Sequence, residues 1–197
     1  MGDHEVMATP RSLLVDPEQP LCYHLVSRCV RRAWLCGCNG ERNYAYRKRW
    51  IEQRLIRLAE AFAVDVLAFA IMSNHFHLVV YFDPNASKLW SLRDVAERWL
   101  RAFPVSDAEH EEAVERLLTQ PARLHRYRER LGSLSAFMQH LKQPIAVRIN
   151  REDSVKGHLF EQRFYSGALL DENAVLTAMR YVDLNPFRAR ITQTLQQ

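Results

Sequence analysis

No apolar run in the chain approaches the roughly 18 residues that a bilayer-spanning helix needs, so a membrane span is not expected. The first twenty residues lack a basic segment followed by an apolar core. They carry Asp3, His4, Glu5, Pro10 and Asp16 instead, so no secretory signal is expected and the cytoplasm is the expected compartment. Cysteine is scarce: Cys22, Cys29, Cys36 and Cys38 fall in one short stretch and form no C-x-x-C. A zinc site or a disulfide framework wants better spacing and further partners, so free thiols in a reducing compartment are expected. Lysine is as scarce. Lys48, Lys88, Lys142 and Lys156 are four of the 27 basic residues, which leaves 23 arginines. Arginine pairs phosphate bidentately and stacks on bases, which leans toward nucleic acid, although a GC-rich genome produces the same bias. Repeats and low-complexity tracts are missing too. With 48% hydrophobic and 25% charged residues among 197, the composition is that of one ordinary globular domain, and disordered, collagenous and coiled-coil classes are excluded. The net charge of +4 adds little.

Tyr23 to Val30 alternate as a strand does and end at the basic residues Arg28, Arg31 and Arg32, after which Gly37 and Gly40 mark a loop. From Tyr44 to Phe62, Ile51, Leu55, Leu58, Ala59 and Phe62 recur at helical spacing. Arg47, Lys48, Arg49, Arg54 and Arg57 take the other positions, which predicts an amphipathic helix with a basic outer face. Val64 to Met72, the turn Ser73-Asn74, and His75 to Phe82 predict a hairpin of two central strands. A second helix is expected from Ala86 to Phe103, stopped by Pro104. Ser106-x-x-Glu109 reads as a capping box for a short acidic helix, and after Pro121 the charge turns positive at Arg123, Arg126, Arg128 and Arg130. A helix from Leu134 is expected to bend or end at Pro144. Extended structure is expected over 157–170, and Asp171 can cap a last helix that Pro186 terminates. The domain organisation read from this is an arm over 1–20, one domain over 21–190 with a charged helical insertion at about 104–132, and a tail over 191–197. The element order predicts an α+β fold: a ferredoxin-like or RRM-like antiparallel sheet with helices packed on one face.

The sharpest local feature is His75-Phe76-His77. Strand side chains alternate, so the two imidazoles share one face while Phe76, Leu78, Val80 and Phe82 share the other. Such a pair is a preorganised half-site for a divalent metal that needs a third ligand. Random placement of 8 His gives roughly 0.3 such pairs, so the motif alone does not decide. In the last helix Tyr181 and Asn185 are four apart and share a face. They read either as a phenol and an amide presented together, or as a half-buried tyrosine and a helix-capping asparagine. Leu176, Met179 and Val182 are left to pack elsewhere. His24, His140 and His158 read as core or surface histidines.

From Cys22 to Arg190 the chain resembles the REP-associated tyrosine transposases, single-tyrosine members of the HUH (His-hydrophobic-His) endonuclease superfamily. The likeness rests on Met72-Ser73-Asn74-His75-Phe76-His77-Leu78-Val79, on the Gly157 to Ser166 segment with Phe160, Arg163, Phe164 and Tyr165, and on Arg180-Tyr181-Val182-Asp183-Leu184-Asn185-Pro186. Three motifs in the right order are more specific than any one. The resemblance implies that His75 and His77 bind a divalent metal, Mg²⁺ or Mn²⁺, that Tyr181 is the nucleophile and that Asn185 completes the metal site. It implies cleavage and rejoining of single-stranded DNA at hairpin-forming repeats through a 5′-phosphotyrosine with a free 3′-hydroxyl. A free phenol ionises near pH 10, so nearby positive charge, from the metal or Arg180, is expected to assist.

Arg28, Arg31, Arg32, Arg163 and Arg180 are then the expected phosphate contacts, with unpaired bases stacking on Phe164 or Tyr165. Arg54, Arg57 and the 123–130 arginines read as solvated charges. Relatives work as monomers or as dimers with exchanged tyrosine helices, and a monomer is the expectation here. Some relatives continue well past the Asn-Pro segment, whereas this chain ends at Gln197, which leaves target choice open. Two other readings stand beside this one: a non-catalytic module that grips single-stranded nucleic acid, and a metal-independent ribonuclease of similar fold.

Overall fold

The computed structural model describes residues 19–30, 33–38, 40, 42–161 and 163–188. Four strands, β1 (Leu21–Arg28), β2 (Val64–Ile71), β3 (His75–Phe82) and β4 (Tyr165–Leu169), form one sheet in the order β2-β3-β1-β4. Every pairing is antiparallel. The order follows from a β1-helix-β2-β3-helix-β4 path whose outer strands are β2 and β4, which is the ferredoxin-like arrangement expected. The predicted hairpin is present, but only β3 is central. β2 is an edge strand with a bulge between Val66 and Ala68, because β1 takes the other side of β3.

Among the described residues six α-helices pack against the sheet: α1 (Arg47–Ala59), α2 (Leu92–Ala102), α3 (His110–Leu118), α4 (Pro121–Leu131), α5 (Leu134–Glu152) and α6 (Glu172–Arg188). The alternation of β3 sorts the layers. Phe76, Leu78, Val80 and Phe82 join Tyr23 and Leu25 of β1 in a large core, closed by Ile51, Leu55 and Leu58 of α1, Val95 and Leu100 of α2, Val114 of α3, Leu124 of α4 and Phe137, Met138 and Leu141 of α5. Thus α1 to α5 share one core on one face. On the opposite face lies a smaller cluster of Ala68, Ala70, Met72 and Val79, covered by Ala178 and Val182 of α6. The final helix therefore adds a layer on the second face, the face that carries the imidazoles. Among the described residues no helix is long and apolar enough to cross a membrane.

Several local expectations change for identifiable reasons. The 86–103 helix is split, because Trp90 is extended and Ser91 starts α2 with a capping box: Asp94 N–H donates to Ser91 Oγ, and the Ser91 N–H donates to the Asp94 carboxylate. The Ser106 hydroxyl donates to the Glu109 carboxylate and caps no backbone N–H, a 3₁₀ turn spans Asp107–Glu109, and α3 begins at His110. α5 runs through Pro144 without ending. Pro144 cannot donate to the His140 carbonyl one turn back, and Arg54 Nε donates to that carbonyl instead at 3.2 Å. Arg54 also donates to Ala102 O at 2.9 Å, so it is a structural brace and not the solvated charge expected.

Arg47 departs further from the expected basic outer face. It is fully buried, pairs with Glu152 and Asp153, donates to Trp34 O and stacks on Tyr44, fastening the loop before α1 to the end of α5. In that loop Gly37 and Gly40 have φ of 85° and 91°, which side-chain-bearing residues rarely adopt. All four cysteines are unpaired. Among the described residues of 157–170 only Tyr165–Leu169 is a strand, although Glu161 N–H donates to Arg28 O at the end of β1 and Val30 N–H donates to Leu159 O just past it. Asp171 caps α6 through its side chain, accepting from the Ala174 N–H at 2.8 Å, and the helix continues past Asn185 and Pro186 to Arg188. Asn185 therefore lies inside a helix and not at its end.

Candidate active site

The second face of the sheet is built row by row from the strand register. Arg28 lies opposite His75, Val26 opposite His77, and His24 opposite Val79. On the far side of β1, Tyr165 lies opposite Val26 and Gly167 opposite His24. Directly opposed residues of an antiparallel pair share a face, so His24, Arg28, His75, His77 and Tyr165 all project from the face that α6 crosses. α6 docks through Ala178 and Val182, and small residues on β2 allow it to sit close. Tyr181, beside Val182, is thereby held over the imidazoles. Its ring meets His77 edge-on at 5.7 Å between centroids and His24 edge-on at 6.1 Å. The ring is 43% exposed. Among the described residues the Tyr181 hydroxyl has no hydrogen-bond partner.

The two imidazoles of the His-x-His motif are held differently. His75 Nδ1 lies 2.7 Å from Asn74 Oδ1, and a carbonyl oxygen can only accept, so His75 carries its proton on Nδ1. His77 is buried, with Nδ1 3.0 Å from His24 Nε2 and the two rings stacked at 5.2 Å. His77 Nε2 is buried and has no partner. Burial, reinforced by neighbouring His75, His24 and Arg28, pushes the His77 imidazole down to about 4. Burial also lowers His75, with Arg28 adding to it, and lowers His24. All three rings are consequently held toward the neutral form that offers a lone pair and away from imidazolium.

His24 is the residue that the sequence reading missed. By sequence it reads as a core or surface histidine, yet it touches His77, Tyr165 and Tyr181. The available signal was the alternation of β1, in which Tyr23, Leu25 and Ser27 are buried on one side and Cys22, His24 and Arg28 fall on the other. His140 packs edge-on against Phe103 in the helical layer, and His158 is exposed.

Among the expected nucleic-acid contacts, Arg28 joins the histidines, and Tyr165 stands edge-on to His24 at 6.4 Å with 64% of its surface exposed. Phe164 is half-buried and packs on the large core of the opposite face. Arg163 and Arg180 are exposed. Arg31 and Arg32 lie outside the described residues. An open cleft lined by His24, Leu169, Asp171, Thr177, Ala178 and Tyr181 runs between β4 and the start of α6.

Among the described residues no group of three or more His, Cys, Asp or Glu side chains is arranged to hold a metal ion. The expected donors are the two imidazoles, that of His77 with an orphaned buried nitrogen, and Asn185 on α6, one turn beyond Tyr181. Its side-chain nitrogen is likewise buried without a partner. Orphaned buried polar atoms cost free energy unless something binds them, and the lone pair of His77 Nε2 suits a divalent ion; the Asn185 NH2 group can only donate, so any ligation by Asn185 falls to its amide oxygen.

No family model matches the chain, and no curated protein matches it in sequence. In three dimensions it is similar to a REP-associated tyrosine transposase bound to a REP hairpin, with TM-score 0.50 and 10% identity, over 89% of this chain and 72% of that one. A protein of Deinococcus radiodurans R1, provisionally described as a transposase, is similar at TM-score 0.43 and 12% identity, over 84% of this chain and 90% of that one. The likeness to the first of these is one of fold: this chain shares the architecture of that REP-associated tyrosine transposase.

Proposed function

We propose that the protein is a single-tyrosine transposase that cleaves and rejoins single-stranded DNA at hairpin-forming repeats. The observation that carries this reading is the placement of Tyr181. α6 lays one accessible phenol edge-on against the buried imidazole of His77, whose partner His75 projects from the same face of β3, in a fold shared with a transposase whose structure holds a REP hairpin. Tyr181 Oη attacks the scissile phosphorus as phenolate. The 3′-oxygen leaves and takes up a proton, and the 5′ side stays on the tyrosine. Attack of another 3′-hydroxyl on that phosphotyrosine reverses the step and joins a new strand without ATP. His75, His77 and Asn185 are the residues that would hold Mg²⁺ or Mn²⁺, which when bound supplies Lewis-acid polarisation of the scissile phosphate. Arg28, beside His75, Arg163 and Arg180 offer charge for neighbouring phosphates, and the exposed Tyr165 ring a surface for an unpaired base.

A metal-free ribonuclease mechanism needs an imidazolium near neutral pH as general acid, and His77, at about 4, is poorly suited to that role. The test is incubation of wild type and Tyr181→Phe with labelled hairpin and mutated-hairpin DNA, with Mn²⁺ or EDTA, resolved on a denaturing protein gel. A DNA-linked band that needs Mn²⁺ and the hairpin, and that disappears completely in Tyr181→Phe, is expected. Hairpin binding without an adduct under any metal would leave a non-catalytic nucleic-acid module.

A further inference from the structure

We infer that His24 is a positioning residue for His77, fixing which of its ring nitrogens is free. The inference rests on the reading of His77 as half of the metal-binding pair. A ligating imidazole uses one nitrogen lone pair and is oriented by the hydrogen bond its other nitrogen makes. For His75 that partner is Asn74 Oδ1, which can only accept. For His77 it is His24 Nε2, at 3.0 Å from Nδ1. His77 Nε2, the nitrogen left over, is the buried atom with no protein partner. The proton therefore belongs on His77 Nδ1, donated to the His24 Nε2 lone pair, and His24 carries its own proton on Nδ1. The opposite assignment would bury an N–H at His77 Nε2 with nothing to accept it, which is the costlier arrangement.

His24 is well placed to act through His77 and not as a ligand itself, because its Nε2 is already committed. Its ring cannot swing freely. It is stacked on His77, touched edge-on by Tyr181 and Tyr165, and lies opposite Gly167 of β4 in the strand register. A Cβ at Gly167 would sit 2.8 Å from the Tyr165 hydroxyl, so the absence of a side chain there lets Tyr165 fold down along β4 on the side of His24. One short row of the sheet thus holds the imidazole whose acceptor nitrogen selects the His77 tautomer.

The test uses the full chain, labelled with ¹⁵N-histidine and free of metal, at neutral pH, with ring tautomers read by long-range ¹H–¹⁵N correlation. His77 is expected in the Nδ1–H form in wild type and in His24→Gln, whose amide oxygen can accept the same proton. In His24→Ala it is expected to shift toward the Nε2–H form that predominates in water. A wild-type His77 protonated on Nε2, or a tautomer unchanged in a folded His24→Ala, would overturn the inference. The wild-type spectrum alone decides it should His24→Ala fail to fold. Mn²⁺ titration followed by the free-ion EPR signal separates the two layers. With the pair binding metal, His24→Ala should weaken binding about 10- to 100-fold and His24→Gln should restore most of it. Should wild type bind no Mn²⁺ while the tautomers behave as expected, the metal reading fails and the positioning role of His24 stands.

Discussion

The two faces of the sheet differ in what their side chains are for. On the face shared by α1 to α5, β3 contributes Phe76, Leu78, Val80 and Phe82 to a core that takes in every one of those helices. On the other face the same strand contributes His75, His77 and Val79, and the apolar cluster shrinks to Ala68, Ala70, Met72 and Val79 beneath Ala178 and Val182 of a single helix, flanked by Leu169 and Met179. Stability is concentrated where the side chains are large. The thin face gives up apolar area, and in the space gained it keeps three imidazoles and a phenol in contact.

The largest effect should come from breaking the thick face. Phe76 is 1% exposed and meets Phe160 edge-on at 5.9 Å. Phe76→Ala is expected to cost about 3–5 kcal/mol in urea unfolding, with hairpin cleavage lost through loss of the folded state. On the thin face Val182→Ala should cost less, about 1–2 kcal/mol, because its cluster is small and the neighbouring alanines leave little volume to lose. The same change should loosen α6 and so, with Tyr181 as the proposed nucleophile, reduce adduct formation more than it reduces global stability. Hydrogen exchange on α6, compared with β3, would register this. Equal loss of protection in both elements would show that the two faces unfold as one unit and that the division is only geometric.

The division was half legible in the sequence. The His-x-His alternation within β3 and the spacing of Tyr181 and Asn185 are local properties, and both survive in the structure with Tyr181 against His77. The ferredoxin-like order was likewise readable, because it follows from element order and strand connection. What could not be read was register between distant strands. His24 meets His77 only because β1 pairs with β3 in one particular offset, and no pattern within residues 21–28 carries that offset. Tertiary contacts also overrode two local rules. Pro144 did not end α5, since Arg54 takes over the orphaned His140 carbonyl, and Arg47 left the basic face of α1 to be buried between Trp34 O and two carboxylates.

Acid offers a third way to separate the faces. His77 has its pKa lowered by burial to about 4, against about 6.5 in an unfolded chain, and His75 and His24 are lowered in the same direction. Between those values the unfolded state binds protons that the folded state refuses, so stability is full above about pH 6.5 and declines as the pH falls toward 4. At one proton per molecule this amounts to a fall in melting temperature of about 3 °C per pH unit for a chain of this size. His77→Asn should flatten the decline measured by thermal scans from pH 7 to 4.5. An unchanged slope in that variant would place the acid sensitivity elsewhere in the molecule.

The smallest change sharpens the comparison at the rim of the thin face. A methyl group at Gly167 would lie 2.8 Å from the Tyr165 hydroxyl and 3.2 Å from its Cε1, atoms at the far end of a side chain that can rotate away. Gly167→Ala is therefore expected to change stability by no more than about 0.5 kcal/mol, while lifting Tyr165 off the sheet and away from His24. The ring resonances of Tyr165 and His24 should move, with those of Phe76 and the large core unchanged. If Tyr165 stacks an unpaired base, single-stranded DNA binding should weaken in Gly167→Ala by less than the roughly 1–3 kcal/mol expected for Tyr165→Ala, since the displaced ring is still present. Equal losses in the two variants would mean that the position of the ring against His24, and not its stacking surface alone, is what the DNA reads.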